Sequence, residues 1–215
     1  FTLAHEMGHA MHSYLSNTHQ KPLYAGYRIF VAEVASTCNE ALLMQYLLKN
    51  TTDSKERAVL INHFLEQFKG TLYRQTMFAE FELEINERAA KGESLTASAL
   101  CDIYRKLNED YFGPDMEIDD NIALEWARIP HFYYDYYVYQ YATGFSAAIA
   151  LSDKILNEGE PAVRRYLNFL CSGCTKDPVS LLRDAGVDMS GPEPVETALK
   201  LFNSLMDEME ELLLK

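Results

Sequence analysis

Long apolar runs are missing from this sequence, and no stretch approaches the roughly 18 consecutive apolar residues that a membrane span needs. Positive charge is scarce. Nineteen Lys and Arg face 32 Asp and Glu, for a net charge of −13, which argues against nucleic acid as a partner because phosphate binding wants a basic surface. Cysteine is equally thin, with four in 215 residues, too few for a disulfide framework. Cys38 and Cys101 stand alone in helical patterns, where a small buried hydrophobe is the expectation. Cys171 and Cys174 form a single CxxC with no second ligand pair for a structural metal and no βαβ setting for redox work. No basic, apolar leader opens the sequence, so the expected compartment is a reducing, cytoplasmic one with no membrane partner.

What is present is an ordinary globular composition. Apolar residues make up 48% and charged residues 24%, and the length allows a sizeable core. Apolar spacing predicts helices nearly throughout. The first covers residues 2–16, with Phe1, Leu3 and Met7 expected to be buried. A loop around Pro22 and Gly26 follows, then a strand-like stretch at 27–30 and a helix over 31–48. Thr52-Asp53-Ser54 caps a helix toward Lys69, a separate one spans 71–90, and Ser94 or Thr96 opens another to Asn108. After Pro130 a long helix is expected from about Tyr133 to Asn157. Shorter ones follow from Pro161 and from the Asp177-Pro178 pair, and a terminal helix covers roughly 194–214. The expectation is one all-α unit over residues 1–215. Because FTLAHEMGHAMHS opens inside a helix with neither a cap nor Met before it, that unit is expected to be a fragment of a longer protein.

The chemistry concentrates in His5-Glu6-Met7-Gly8-His9, an HExxH string. A spacing of four is slightly more than one helical turn, so both imidazoles leave the same face roughly 6 Å apart and can grip one ion. Glu6 projects about 100° round the helix from His5, close enough to reach a water without being a ligand. A catalytic zinc site needs a third protein ligand. His12 is one candidate, but it lies about 10.5 Å along the axis from His5, and three rings on one straight helix converge poorly. Glu33 is favoured: a carboxylate inside the apolar run Ile29-Phe30-Val31-Ala32-Glu33-Val34-Ala35 needs a partner. Glu40, further along the same helix, is a candidate acceptor for a ligand imidazole N–H.

HEMGHAMHS followed by FVAEVASTCNEALL resembles the thimet oligopeptidase-like family of zinc peptidases. YRQTMFAEFE (73–82), EWARIPHFYYDYYVYQYATG (125–144) and LLRDAGVDM (181–189) are similar to its bacterial oligoendopeptidase F branch, so the resemblance covers essentially the whole chain. It implies one zinc held by His5, His9 and Glu33, with Glu6 as the base. It also implies a mostly helical, deep-cleft enzyme that cleaves short peptides. Members of that family are much longer, and a missing N-terminal portion is expected to form the opposite cleft wall.

Residues 131–141, HFYYDYYVYQY, hold six tyrosines. Phenols want hydrogen-bond partners, which makes a cleft wall a better setting than a plain core. The family draws a histidine and tyrosines from this region to stabilise the oxyanion, which points to His131 and to a choice among Tyr134, Tyr136, Tyr137 and Tyr139. Tyr136 and Tyr139 are favoured as three apart on the expected helix. Two other readings stay open: a zinc carboxypeptidase on a similar scaffold, and an acidic helical interaction module without catalysis.

Overall fold

A computed structural model describes residues 1–214; Lys215, the last residue of the expected unit, lies outside the described residues. The described chain is predominantly helical and contains no strand, the all-α class expected. The helices are α1 (Thr2–His19), α2 (Pro22–Ala25), α3 (Ala32–Asn50), α4 (Ser54–Gln67), α5 (Arg74–Ala90), α6 (Ala97–Phe112), α7 (Tyr139–Glu158), α8 (Glu160–Leu170), α9 (Pro178–Asp184) and α10 (Glu193–Leu213). Three of them start on the capping residues read from the sequence. Asp53 accepts the Lys55 and Glu56 N–H groups at 3.0 Å, Thr96 the Ala99 N–H at 3.2 Å, and Asp177 the Ser180 N–H at 2.9 Å. Each satisfies donors that the first helical turn leaves unpaired.

The chain forms two compact units, one of Phe1–Lys69 with the residues from Thr143 onward, the other Gly70–Ala142. In the first unit, Val34, Ala35 and Cys38 of α3 are buried. They share one core with Ala147, Ala148 and Leu151 of α7, Phe169 of α8 and Leu182 of α9. Burial pushes the Cys38 thiol up to about 12 against a lowering hydrogen bond from Tyr166, so Cys38 behaves as the small hydrophobe its setting predicted. In the second unit, Met77, Phe78 and Phe81 of α5 pack with Ile103 and Tyr104 of α6, Ile129 and Val138. Within that core Glu125 is buried. Burial pushes its carboxyl up, but the Tyr104 hydroxyl (2.7 Å) and the Arg74 and Arg128 guanidiniums outweigh this and hold it below the usual carboxylate range.

Four local expectations need correcting. Residues 27–30 are not strand-like: Ile29–Val31 is a single 3-10 turn leading into α3, closed by the Val31 N–H on the Arg28 carbonyl at 3.1 Å. No strand among the described residues could have paired an extended segment there. The expected break near residue 70 is a π-helical stretch, Phe68–Tyr73, that carries the chain from α4 into α5. The long helix starts at Tyr139 rather than near Tyr133, because Asp135 and Tyr136 have φ of 52° and 57°, values that end any right-handed helix. Finally, Leu3, Met7 and Met11 are exposed, and α1 buries Gly8, His12 and Ser16 instead. That i, i+4, i+8 line is set by how closely α3 approaches at Gly8.

Candidate metal centre

The site is built where α1 packs on α3. Gly8 is the reason the two can come so close: a Cβ there would stand 2.4 Å from the Ser36 Cα and 2.7 Å from the Ala35 carbonyl oxygen. Asn39 fastens the contact by donating to the Ala4 carbonyl at 3.2 Å. His5 and His9 leave α1 one turn apart, with ring centroids 4.9 Å from each other and ring planes at 79°. Glu33, in the first turn of α3, enters between them. Its Oε2 is 3.3 Å from His5 Nε2 and 3.3 Å from His9 Nε2. One atom from each of the three lies within 4.8 Å of the other two, and among the described residues this is the one group of His, Cys, Asp or Glu side chains so arranged. The donor set of two imidazole nitrogens and a carboxylate oxygen suits a divalent metal ion.

Neighbouring side chains orient this set. Glu40, one helical stretch beyond Glu33 on α3, places Oε2 3.0 Å from His5 Nδ1. A proton held between that pair leaves the His5 Nε2 lone pair facing Glu33. Gln67 donates to the other Glu40 oxygen at 3.4 Å. Ser36 donates to the Glu33 carbonyl oxygen at 2.9 Å and reaches the Glu33 carboxylate at 3.2 Å. Glu6 is exposed on α1.

His12, the rival third ligand, takes no part. It is 1% exposed and stacks on Tyr27 with centroids 3.8 Å apart and planes at 5°. Burial lowers its pKa to about 4, with the charge of His9 acting in the same direction.

In the Gly70–Ala142 unit, His131 lies against Tyr137 (5.5 Å between centroids, planes at 20°) and meets Tyr134 and Tyr141 edge-on at 5.8 and 6.0 Å. Tyr136 and Tyr139 are not neighbours on one helix, since Tyr136 lies in the left-handed turn before α7. Both phenols are part-exposed, at 39% and 41%. The sequence reading missed three supports: Ser36, Gln67 and Glu82, whose Oε1 accepts the Tyr136 N–H at 2.6 Å. A signal for Glu82 existed, an acid on the apolar face that also carries Met77, Phe78 and Phe81.

A helical fold that brings two imidazoles and a carboxylate together where α1 packs on α3 defines a class of helical proteins with a candidate metal centre, and comparison with known proteins narrows it. The model of peptidase family M3 matches residues 1–201. The chain belongs to that family. It is 59% identical over its whole length to oligopeptidase PepF of Bacillus subtilis, covering 32% of that protein. It is 46% identical over its whole length to the chromosomal oligoendopeptidase F of Lactococcus lactis subsp. cremoris, covering 36% of it. The crystal structure of oligoendopeptidase-F from Enterococcus faecium superposes with a TM-score of 0.89 at 48% identity, over 99% of this chain and 38% of that one. The chain thus spans about a third of the length of these relatives.

Proposed function

We propose that this chain carries the active site of a zinc-dependent endopeptidase that hydrolyses internal bonds of short oligopeptides, with His5, His9 and Glu33 as ligands of one zinc ion. The observation that carries this reading is the convergence of the two imidazoles and the carboxylate from two packed helices. Tetrahedral zinc bound at about 2.0–2.1 Å separates its N and O ligands by roughly 3.4 Å, and Glu33 Oε2 is 3.3 Å from both Nε2 atoms. Three protein ligands leave one position open, as catalysis requires. When bound, zinc supplies Lewis acidity, lowering the pKa of a water and polarising the scissile carbonyl.

The protein's own groups do the rest. Glu6 takes a proton on its carboxylate from the attacking water and passes it to the leaving amine nitrogen. Glu40 keeps the His5 proton on Nδ1, so that Nε2 remains a ligand. His131 with Tyr136 or Tyr139 donates hydrogen bonds to the carbonyl oxygen as it gains negative charge; the part-exposed phenols support this assignment. The names of the relatives, oligopeptidase and oligoendopeptidase, support short peptides as substrates and cleavage within them. The remainder of a longer chain would complete the cleft, and the four free cysteines fit a cytoplasmic setting.

The test uses the full-length enzyme. Glu6→Gln should retain one zinc per chain while turnover falls by on the order of 10² to 10⁴. His9→Ala should lose both zinc and turnover, and mapped cleavage sites should be internal. A Glu6→Gln enzyme that cleaves at the parental rate would remove Glu6 from the role of base, and release of C-terminal residues alone would make the enzyme a carboxypeptidase.

A further inference from the structure

Glu82 on α5 is 1% exposed and lies on the helix face that also buries Met77, Phe78 and Phe81. Among the described residues no cation pairs with it. Its Oε1 accepts the Tyr136 backbone N–H at 2.6 Å, and its Oε2 has no hydrogen-bond partner. Burial pushes its carboxyl pKa up, the Tyr136 N–H works against that, and Asp135 adds to the rise. A carboxyl in such a place costs stability relative to an apolar side chain of similar size. Glu82 therefore gives the core less than an apolar side chain would, and what it holds is the turn.

That turn needs holding. Asp135 and Tyr136 have φ of 52° and 57° in succession, a conformation that costs a residue with a Cβ and persists only where the surroundings impose it. The turn comes directly before α7 and aims the Tyr136 side chain. We propose that Glu82 is a positioning residue: by accepting the Tyr136 N–H it locks the left-handed turn at 135–136 and fixes the direction in which the Tyr136 phenol is presented. This rests on the proposed role of Tyr136 in oxyanion stabilisation.

The discriminating variant is Glu82→Met in the full-length enzyme. Methionine fills the space, suits the apolar neighbours and accepts no backbone hydrogen bond of this strength. The variant should unfold no earlier than the parent on heating. Its Tyr136 amide should lose protection in hydrogen exchange, and kcat should fall on the order of tenfold with KM little changed. Glu82→Gln keeps an acceptor oxygen and should restore both protection and most of kcat. Adding Asp135→Gly to Glu82→Met makes the turn cheaper to adopt and should recover part of kcat. A Glu82→Met enzyme with the Tyr136 amide still protected would overturn the inference, as would a Glu82→Gln enzyme as impaired as the Met variant. Lost protection with unchanged kcat would leave Glu82 as the anchor of the turn and overturn the role of Tyr136 instead.

Discussion

Gly8 on α1 faces the backbone of Ser36 on α3 so closely that a single added carbon would stand 2.4 Å from the Ser36 Cα. Backbone atoms cannot swing aside as the end of a flexible side chain can. The separation of these two helices is therefore fixed by the absence of a side chain between His5 and His9. The same separation brings Glu33 within 3.3 Å of both rings.

Gly8→Ala should force the two helices apart. We expect a stability loss of about 1–3 kcal/mol, the usual cost of overpacking a close contact. We also expect weaker metal binding, because Glu33 moves with α3. Gly26→Ala is the control, since nothing lies within 4 Å of a Cβ there and φ is −74°. Thermal unfolding and a zinc competition titration, run on both variants, measure the two effects. Equal behaviour of the two would mean that the helix contact yields without disturbing the site.

Among the described residues of the proposed metal site, Glu40 touches His5, through Nδ1. Removing such a partner leaves the imidazole free to rotate and to take the wrong tautomer, and typically costs about 10–100-fold in metal affinity. Glu40→Ala should weaken zinc binding by that order in a chelator competition, and excess zinc should restore most of the turnover. A Glu40→Ala enzyme that stays inactive at saturating zinc would give Glu40 a part in the reaction itself.

The pattern of residues made part of this arrangement readable in advance. HExxH puts two rings on one helical face by periodicity alone, and an acid inside Ile29–Ala35 stands out because its surroundings are apolar. Caps such as Asp53, Thr96 and Asp177 were legible because each supplies a short-range oxygen to donors two or three residues away. The buried side of α1 was not. Its apolar residues point to Leu3 and Met7, yet it is Gly8, whose small size does signal room for close packing, that turns α1 toward α3 and leaves those two exposed. The left-handed turn at Asp135 and Tyr136 was hidden for a different reason. Neither residue is a glycine, and the bond that holds them comes from Glu82, more than fifty positions earlier.

Tyr104 provides a test of the core around Glu125. The ring is fully buried and its hydroxyl donates to the Glu125 carboxylate at 2.7 Å. Hydrogen bonds to charged groups contribute about 1.5–3 kcal/mol, so Tyr104→Phe should destabilise the Gly70–Ala142 unit by about 2 kcal/mol in a denaturant titration. Glu125 keeps both arginines in that variant, so the loss should stay well below that of Glu125→Ala. A neutral Tyr104→Phe would mean that the arginines alone satisfy the carboxylate.

His12 makes stability depend on pH in a direction that can be worked out. In the folded chain it is buried against Tyr27 and Phe169, its Nδ1 finds no hydrogen-bond partner among the described residues, and its pKa is lowered to about 4. In the unfolded chain it titrates near 6.5. Between those values the unfolded state binds a proton that the folded state refuses, so acidification favours unfolding. The contribution is fully present above pH 6.5, declines as pH falls toward 4, and amounts at most to about 3 kcal/mol. His12→Phe keeps a ring against Tyr27 and carries no proton. Its unfolding free energy, subtracted from that of the parent at each pH, should isolate this group from the rest of the chain. The parent should lose stability relative to the variant as pH falls from 7.5 to 4.5; parallel curves would mean that His12 is solvated or finds a partner once charged.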